Sequence, residues 1–283
     1  LAGRFALTLQ ASAIDWAQPW LQPYRAIGAA AANAVAQGAL VHEALAASVS
    51  ASRDGALPRF VPQSELPAGT AYESHVFASG TVPMRHHLHD FFNGLVWLHF
   101  PATKRRFNAL HAQAIAQAGP AAPRGVLRDA LTVFDENGAL LLAPAFMWDA
   151  LRARDWRALF VTHRAAWSEA RLLLFGHGLM EKLLTPRKPV TAHVYAAPNA
   201  IDSIAAIDRW LAAAVGGADW LAKPFAPLPV LGVPGWYAGC QDDCFYDDPL
   251  VFRPAAALRL STAQNANRRG LMLHTPTPCV HPK

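Results

Sequence analysis

The chain has 283 residues, 53% hydrophobic and 16% charged, with a formal net charge of +5. That length holds one large domain or two small ones, and that balance excludes an intrinsically disordered chain. The uncharged run 26–41 is mostly alanine interrupted by Asn33 and Gln37, which excludes a membrane-spanning helix there. Cys240, Cys244 and Cys279 are too few and too badly spaced for a disulfide framework, and no basic region leads into a Leu-rich core as in a signal peptide. A cytoplasmic location is the default expectation. Residues 101–190 hold thirteen Lys/Arg against seven Asp/Glu and supply the whole basic excess. Such a middle suits nucleic acid or a phosphorylated ligand. Most of these are single arginines on solvated helix faces, so nucleic-acid binding is the lesser expectation.

Residues 15–50 open with Trp16 and Trp20 around Pro19 and continue as an Ala-rich helix. Three prolines make 53–67 an extended loop. Residues 72–77 read as a short strand with Glu73 and His75 on one face. Residues 88–100 then step round a helix that is apolar on nearly its whole circumference, so it is buried. His89 and Asn93 are the exceptions, one turn apart. Asp90 suits the positive end of the helix dipole. A buried polar group left unpaired costs about 1–3 kcal/mol, so His89 and Asn93 require partners. Pro101 starts a second helix whose first turn carries Lys104, Arg105 and Arg106, while Phe107, Leu110 and Ala114 form its inner face. The two make a helical hairpin.

Residues 126–143 read as a β-hairpin about Glu136-Asn137-Gly138, since Asn-Gly favours a tight turn. On its first strand Asp129 shares a face with Leu131 and Val133, an unusual place for an acid. Asp135 and Glu136 read as turn residues. Residues 146–161 and 165–184 read as helices. In the second, His177 and Glu181 lie four apart on one stripe. Gly176 and Gly178 flank His177, where each costs roughly 1 kcal/mol of helix stability, so a close approach or a ligand is expected there. A strand over 190–195 and a helix over 200–215 follow. Four prolines from 224 to 234 make apolar extended chain laid over the core, and Cys240 and Cys244, in CxxxC spacing, read as loop thiols. Residues 255–283 hold four basic and no acidic residues and read as a poorly ordered tail.

The chemistry follows from the two buried polar stripes, expected to face one another. His89, His177 and Glu181 are candidate metal ligands or acid–base groups, with Asp129 joining as a catalytic carboxylate and Asn93 as a supporting ligand or orienting group. The expected cofactor is a divalent metal and the expected activity hydrolase-like. No HExxH, close-spaced Cys/His set, Gly-rich phosphate loop or GxSxG is present. The alternative is a non-enzymatic binding protein for an acidic ligand or RNA, in which the buried polar residues are purely structural.

The segments YESHVFASGTVPMR, LHDFFNGLVWLHFPATKRRFNALHAQAIA, RGVLRDALTVFDENGALLLAP, LRARDWRALF, RLLLFGHGLMEKLLTPRK and PLPVLGVPGW, together and in this order, resemble the DUF3025 family, a bacterial family of unknown function. The resemblance runs from about residue 15 to residue 254. It implies a single family domain over 1–254 and no particular activity. His87 departs from the polar Asn- or Asp-containing form associated with the family, so His86 and His87 stay outside the proposed site. The fold expected is a mainly helical α+β domain with small antiparallel β-hairpins.

Overall fold

The computed structural model describes residues 11–49, 57–119, 123 and 125–255. The tail expected beyond 254 therefore falls, from 256 onward, outside the described residues. The described chain is a mainly helical α+β domain. Its helices are α1 (Arg25–Ala36), α2 (Val41–Val49), α3 (Tyr72–Ser79), α4 (Leu88–His99), α5 (Pro101–Ala118), α6 (Val126–Asn137), α7 (Ala145–Ala153), α8 (His177–Lys182), α9 (Ile204–Ala214) and α10 (Ala218–Leu221). Strands β1 (Arg59–Pro62) and β2 (Thr81–Met84) pair in parallel. A four-stranded mixed sheet runs in the order β4 (Arg171–Leu174), β3 (Gly138–Leu142), β5 (Thr191–Ala197), β6 (Ala226–Pro229). β3 is parallel to β5 and antiparallel to β4. Neither sheet contains the expected hairpins, because each pair of neighbouring strands is separated by intervening helical chain.

The helical hairpin of α4 and α5 forms as expected. Asp90 accepts from Arg85 N at 2.6 Å and from its guanidinium at 2.7 Å. The buried Asp208 of α9 accepts the first free amides of α5, from Ala102 at 2.9 Å and Thr103 at 2.7 Å. An acid there satisfies orphan donors and the helix dipole together. His99, given no role, bonds through Nδ1 to Leu95 O at 2.8 Å and packs on the Tyr24 ring.

Five local expectations are corrected, and two of them move the site. Residues 126–137 form a helix, because Leu127, Ala130, Leu131 and Phe134 recur at helical spacing and bury on one face. Asn137-Gly138 ends that helix and starts β3, rather than turning a hairpin. Residues 165–184 are not one helix. The apolar run 171–174 pairs with β3, and Phe175 and Gly176 donate to Gly138 O at 2.9 and 2.8 Å before α8 begins. Residues 72–77 are the helix α3, capped by Gly80 at φ 66°, which separates Glu73 from His75. Arg154, at φ 52°, ends α7, and a π-helical turn over Ala158–Thr162 follows. Cys240 is a buried free thiol, whereas Cys244 is disulfide-bonded, against the loop-thiol reading of the pair.

Beneath the corrected segments lies an aromatic cluster. Phe134 of α6 and Phe175 at the end of β4 sit 5.1 Å apart, ringed by Phe107, Trp220, Tyr195 and Phe225. Each of the first two lies two residues before a polar side chain, Glu136 and His177. Packing that locks the rings therefore fixes the polar groups above them.

Candidate metal centre

His177 is the first residue of α8, and Glu181 lies one turn later on the same helix. His89 is the second residue of α4, whose N-cap His87 accepts from His89 N at 3.2 Å. The two helices pack so that His177 Nε2 and His89 Nε2 lie 2.9 Å apart, with the rings edge to face. Glu136, in the last turn of α6, points between them. Its Oε1 is 3.5 Å from His177 Nε2 and 3.7 Å from His89 Nε2. Among the described residues, His89, Glu136 and His177 are the group of three able to hold a metal ion.

The geometry of those three atoms is specific. A triangle with sides of 2.9, 3.5 and 3.7 Å has a circumradius of about 2.0 Å. One point in its plane is thus equally distant from all three donors, at the roughly 2.0–2.2 Å of Zn–N and Zn–O bonds.

The far sides of both imidazoles face carboxylates. Glu181 Oε2 lies 3.1 Å from His89 Nδ1. His177 is buried, and its Nδ1 makes no hydrogen bond; Asp135 Oδ2 faces it at 3.8 Å. Asp135 in turn accepts at Oδ1 from Lys104 Nζ at 2.6 Å, and the same ammonium donates to Asn93 Oδ1 at 2.9 Å. Burial would push the Asp135 carboxyl up, but the Lys104 ammonium beside it, with His177 and His111, holds it below the ordinary carboxylate range. Glu136 is also held down, chiefly by its hydrogen bond from His177 and then by the nearby imidazoles, against burial and Asp135.

The glycines around His177 are explained here. A Cβ on Gly176 would stand 2.6 Å from the backbone of Asn137 and Gly138, and one on Gly178 would overlap the Glu136 carboxylate. The sequence Gly-His-Gly thus lets α8 approach the end of α6 closely enough for His177 to reach Glu136.

Of the residues singled out from the sequence, His89, His177 and Glu181 come together. Asn93 stands behind them on Lys104. Asp129 does not join: it sits in the first turn of α6, half exposed, in an ion pair with Lys223. Asp135, Glu136 and Lys104 were missed as site residues. The signal for the acids was the helical spacing of 126–137, which carries both to one end beside the buried face. Lys104 turns inward instead of joining a basic surface, and Arg106 donates to Val215 O at 3.4 Å. The basic helix start therefore offers less to an acidic ligand than its sequence suggested.

The sequence profile of "Protein of unknown function (DUF3025)" matches residues 58–256. The chain belongs to the DUF3025 family. No curated protein and no solved structure matches it. The whole candidate centre of this DUF3025 chain, from Tyr72 to Glu181, falls inside the matched region. Among its described residues no helix is long and apolar enough to cross a membrane.

Proposed function

We propose that this chain is a metal-dependent, hydrolase-like enzyme whose ion is held by His89, Glu136 and His177. The observation that carries the reading is the single point about 2.0 Å from both Nε2 atoms and Glu136 Oε1. Two histidines and a glutamate are an established hydrolytic zinc set that leaves a position open for water or substrate. An ion there would lower the pKa of bound water to about 7 and polarise a carbonyl or phosphoryl oxygen. Glu181 is assigned to hold His89 through Nδ1 rather than to ligate, the role of a carboxylate behind a metal-bound histidine.

The test offers Zn²⁺, Mn²⁺ and, without oxygen, Fe²⁺ to tag-free apoprotein, because the same donors also suit Fe²⁺. One ion per chain is expected, with affinity falling at least about 100-fold in Glu136→Ala and His177→Ala, beyond the usual cost of losing an orienting partner. No uptake by a folded wild type overturns the reading. The 2.9 Å separation of the imidazoles favours a second reading in that event: Glu181, His89 and His177 form a metal-free proton relay.

A further inference from the structure

We propose that the metal centre is served by a two-part pocket, and that its substrate is a small amphipathic molecule with a metal-binding polar head and an unbranched apolar tail. The inference rests on the metal reading above and specifies the substrate of that same site.

The head compartment is a chamber of about 170 Å³ into which Glu136 and Asp135 face, with Tyr72, Asn93, Lys104 and His111 on its other sides. It carries hydrogen-bonding capacity that the protein does not use. His111 is buried and its Nδ1 has no partner. Burial pushes its imidazole down, so the ring is neutral at pH 7 and offers one donor and one acceptor. Burial pushes the Tyr72 phenol up, so it stays protonated, and its side-chain partner is Asn93. Lys104 has three N–H bonds, and Asn93 and Asp135 accept two. Buried polar groups left in this state are ordinarily satisfied by water or by a ligand.

The tail compartment is a cleft of about 380 Å³ that adjoins the chamber across Trp97 and Asn108, which line both. Its walls are Val76, Phe77, Pro58 and Ala109, with Arg105 at the rim. Phe77 is 56% exposed there, an expensive place for an aromatic ring unless something covers it. The two residues at the junction are fixed. Lys104 Nζ lies over the Trp97 ring at 5.5 Å, and Asn108 Nδ2 donates to Glu73 O at 2.7 Å. Both compartments run along α3: Tyr72 borders the chamber and Phe77 the cleft, about 7.5 Å further along the helix axis. Together they hold about 550 Å³, within the roughly 300–1,000 Å³ of small-molecule sites. Of the three metal ligands Glu136 lines the chamber and none lines the cleft, so the polar compartment borders the centre and the apolar one lies beyond it.

The experiment uses the full chain loaded with zinc and two probes, acetohydroxamate and hexanohydroxamate. They share a metal-chelating head and differ by four methylenes. Each methylene buried is worth about 0.8 kcal/mol, or about fourfold in affinity, when burial is complete. Partial burial still leaves hexanohydroxamate at least about tenfold tighter. Ala109→Phe, at a half-exposed position of α5, should fill the cleft and abolish that gain while leaving zinc uptake and acetohydroxamate affinity unchanged. Phe77→Ser removes the exposed wall and should reduce the gain. Equal affinity of the two probes for the zinc-loaded wild type overturns this inference alone, and so does a gain that survives both variants. A chain that takes up no zinc overturns the metal reading and this inference with it.

Discussion

Gly178→Ala separates stability from metal affinity, because the added methyl meets a ligand rather than the core. The Cβ would overlap Glu136 Oε2 and stand 3.1 Å from Glu136 O, where ordinary contacts begin at 3.4 Å. Relieving the overlap moves the carboxylate by about 1 Å, several times the ±0.2 Å that a metal site tolerates. Both oxygens share one carbon, so moving Oε2 shifts or tilts the whole carboxylate that presents Oε1 to the ion. Replacing glycine within a helix meanwhile favours the fold by up to roughly 1 kcal/mol, part of which the 3.1 Å contact takes back. Expected is a melting temperature within about 4 °C of wild type and a zinc affinity reduced at least about 10- to 100-fold, the range for disturbing a ligand's support. The assay is competition with a chromophoric chelator beside thermal unfolding of the apoprotein. Wild-type affinity in folded Gly178→Ala would refute the placement of Glu136 as a ligand.

Gly176→Ala should behave oppositely, because its Cβ meets the backbone of Asn137 and Gly138 at 2.6 Å. A loss of about 1–3 kcal/mol is expected by chemical denaturation, as for other overpacked sites. Asp129→Asn should leave metal affinity unchanged and stability within about 1 kcal/mol, since its pair with Lys223 is exposed. Lys104→Met strands the Asp135 carboxylate and should cost about 3–5 kcal/mol, whereas Lys104→Met with Asp135→Asn should recover most of it; equal losses in the single and double variants would contradict the pairing. Burial holds the imidazoles of His99 and His111 below their ordinary 6.5 in the folded chain. The unfolded chain then binds protons first, so stability present above pH 6.5 is lost as pH falls from that value through the lower folded-state values. Thermal unfolding of metal-free protein between pH 7.5 and 5 checks this, with a shallower fall expected in His111→Gln.

The sequence showed the helices that are apolar all round most plainly. In α4 only the interrupted apolar pattern singles out His89 and Asn93, and both find partners. His177 and Glu181 stand out for the same reason, although the helix drawn through them contains a strand: a short apolar run such as 171–174 suits either element, and only pairing with β3 decides. The error with consequences was at 126–137. An alternating pattern and an Asn-Gly pair outweighed the i, i+3, i+4, i+7 stripe, which put Asp129 forward and dismissed Glu136 as a turn residue. Periodicity fixes which face of a helix is buried, but it does not say which end meets a histidine from 41 residues further along. That placement comes from the Phe134–Phe175 contact and from the room left by two glycines.

The most direct test of the central claim is anomalous diffraction from zinc-soaked crystals at the zinc absorption edge. One strong peak is expected about 2.0 Å from His89 Nε2, His177 Nε2 and Glu136 Oε1, at the bond lengths of protein zinc sites. A map without that peak, or with the ion elsewhere and the two imidazoles still directly hydrogen-bonded, would contradict that claim.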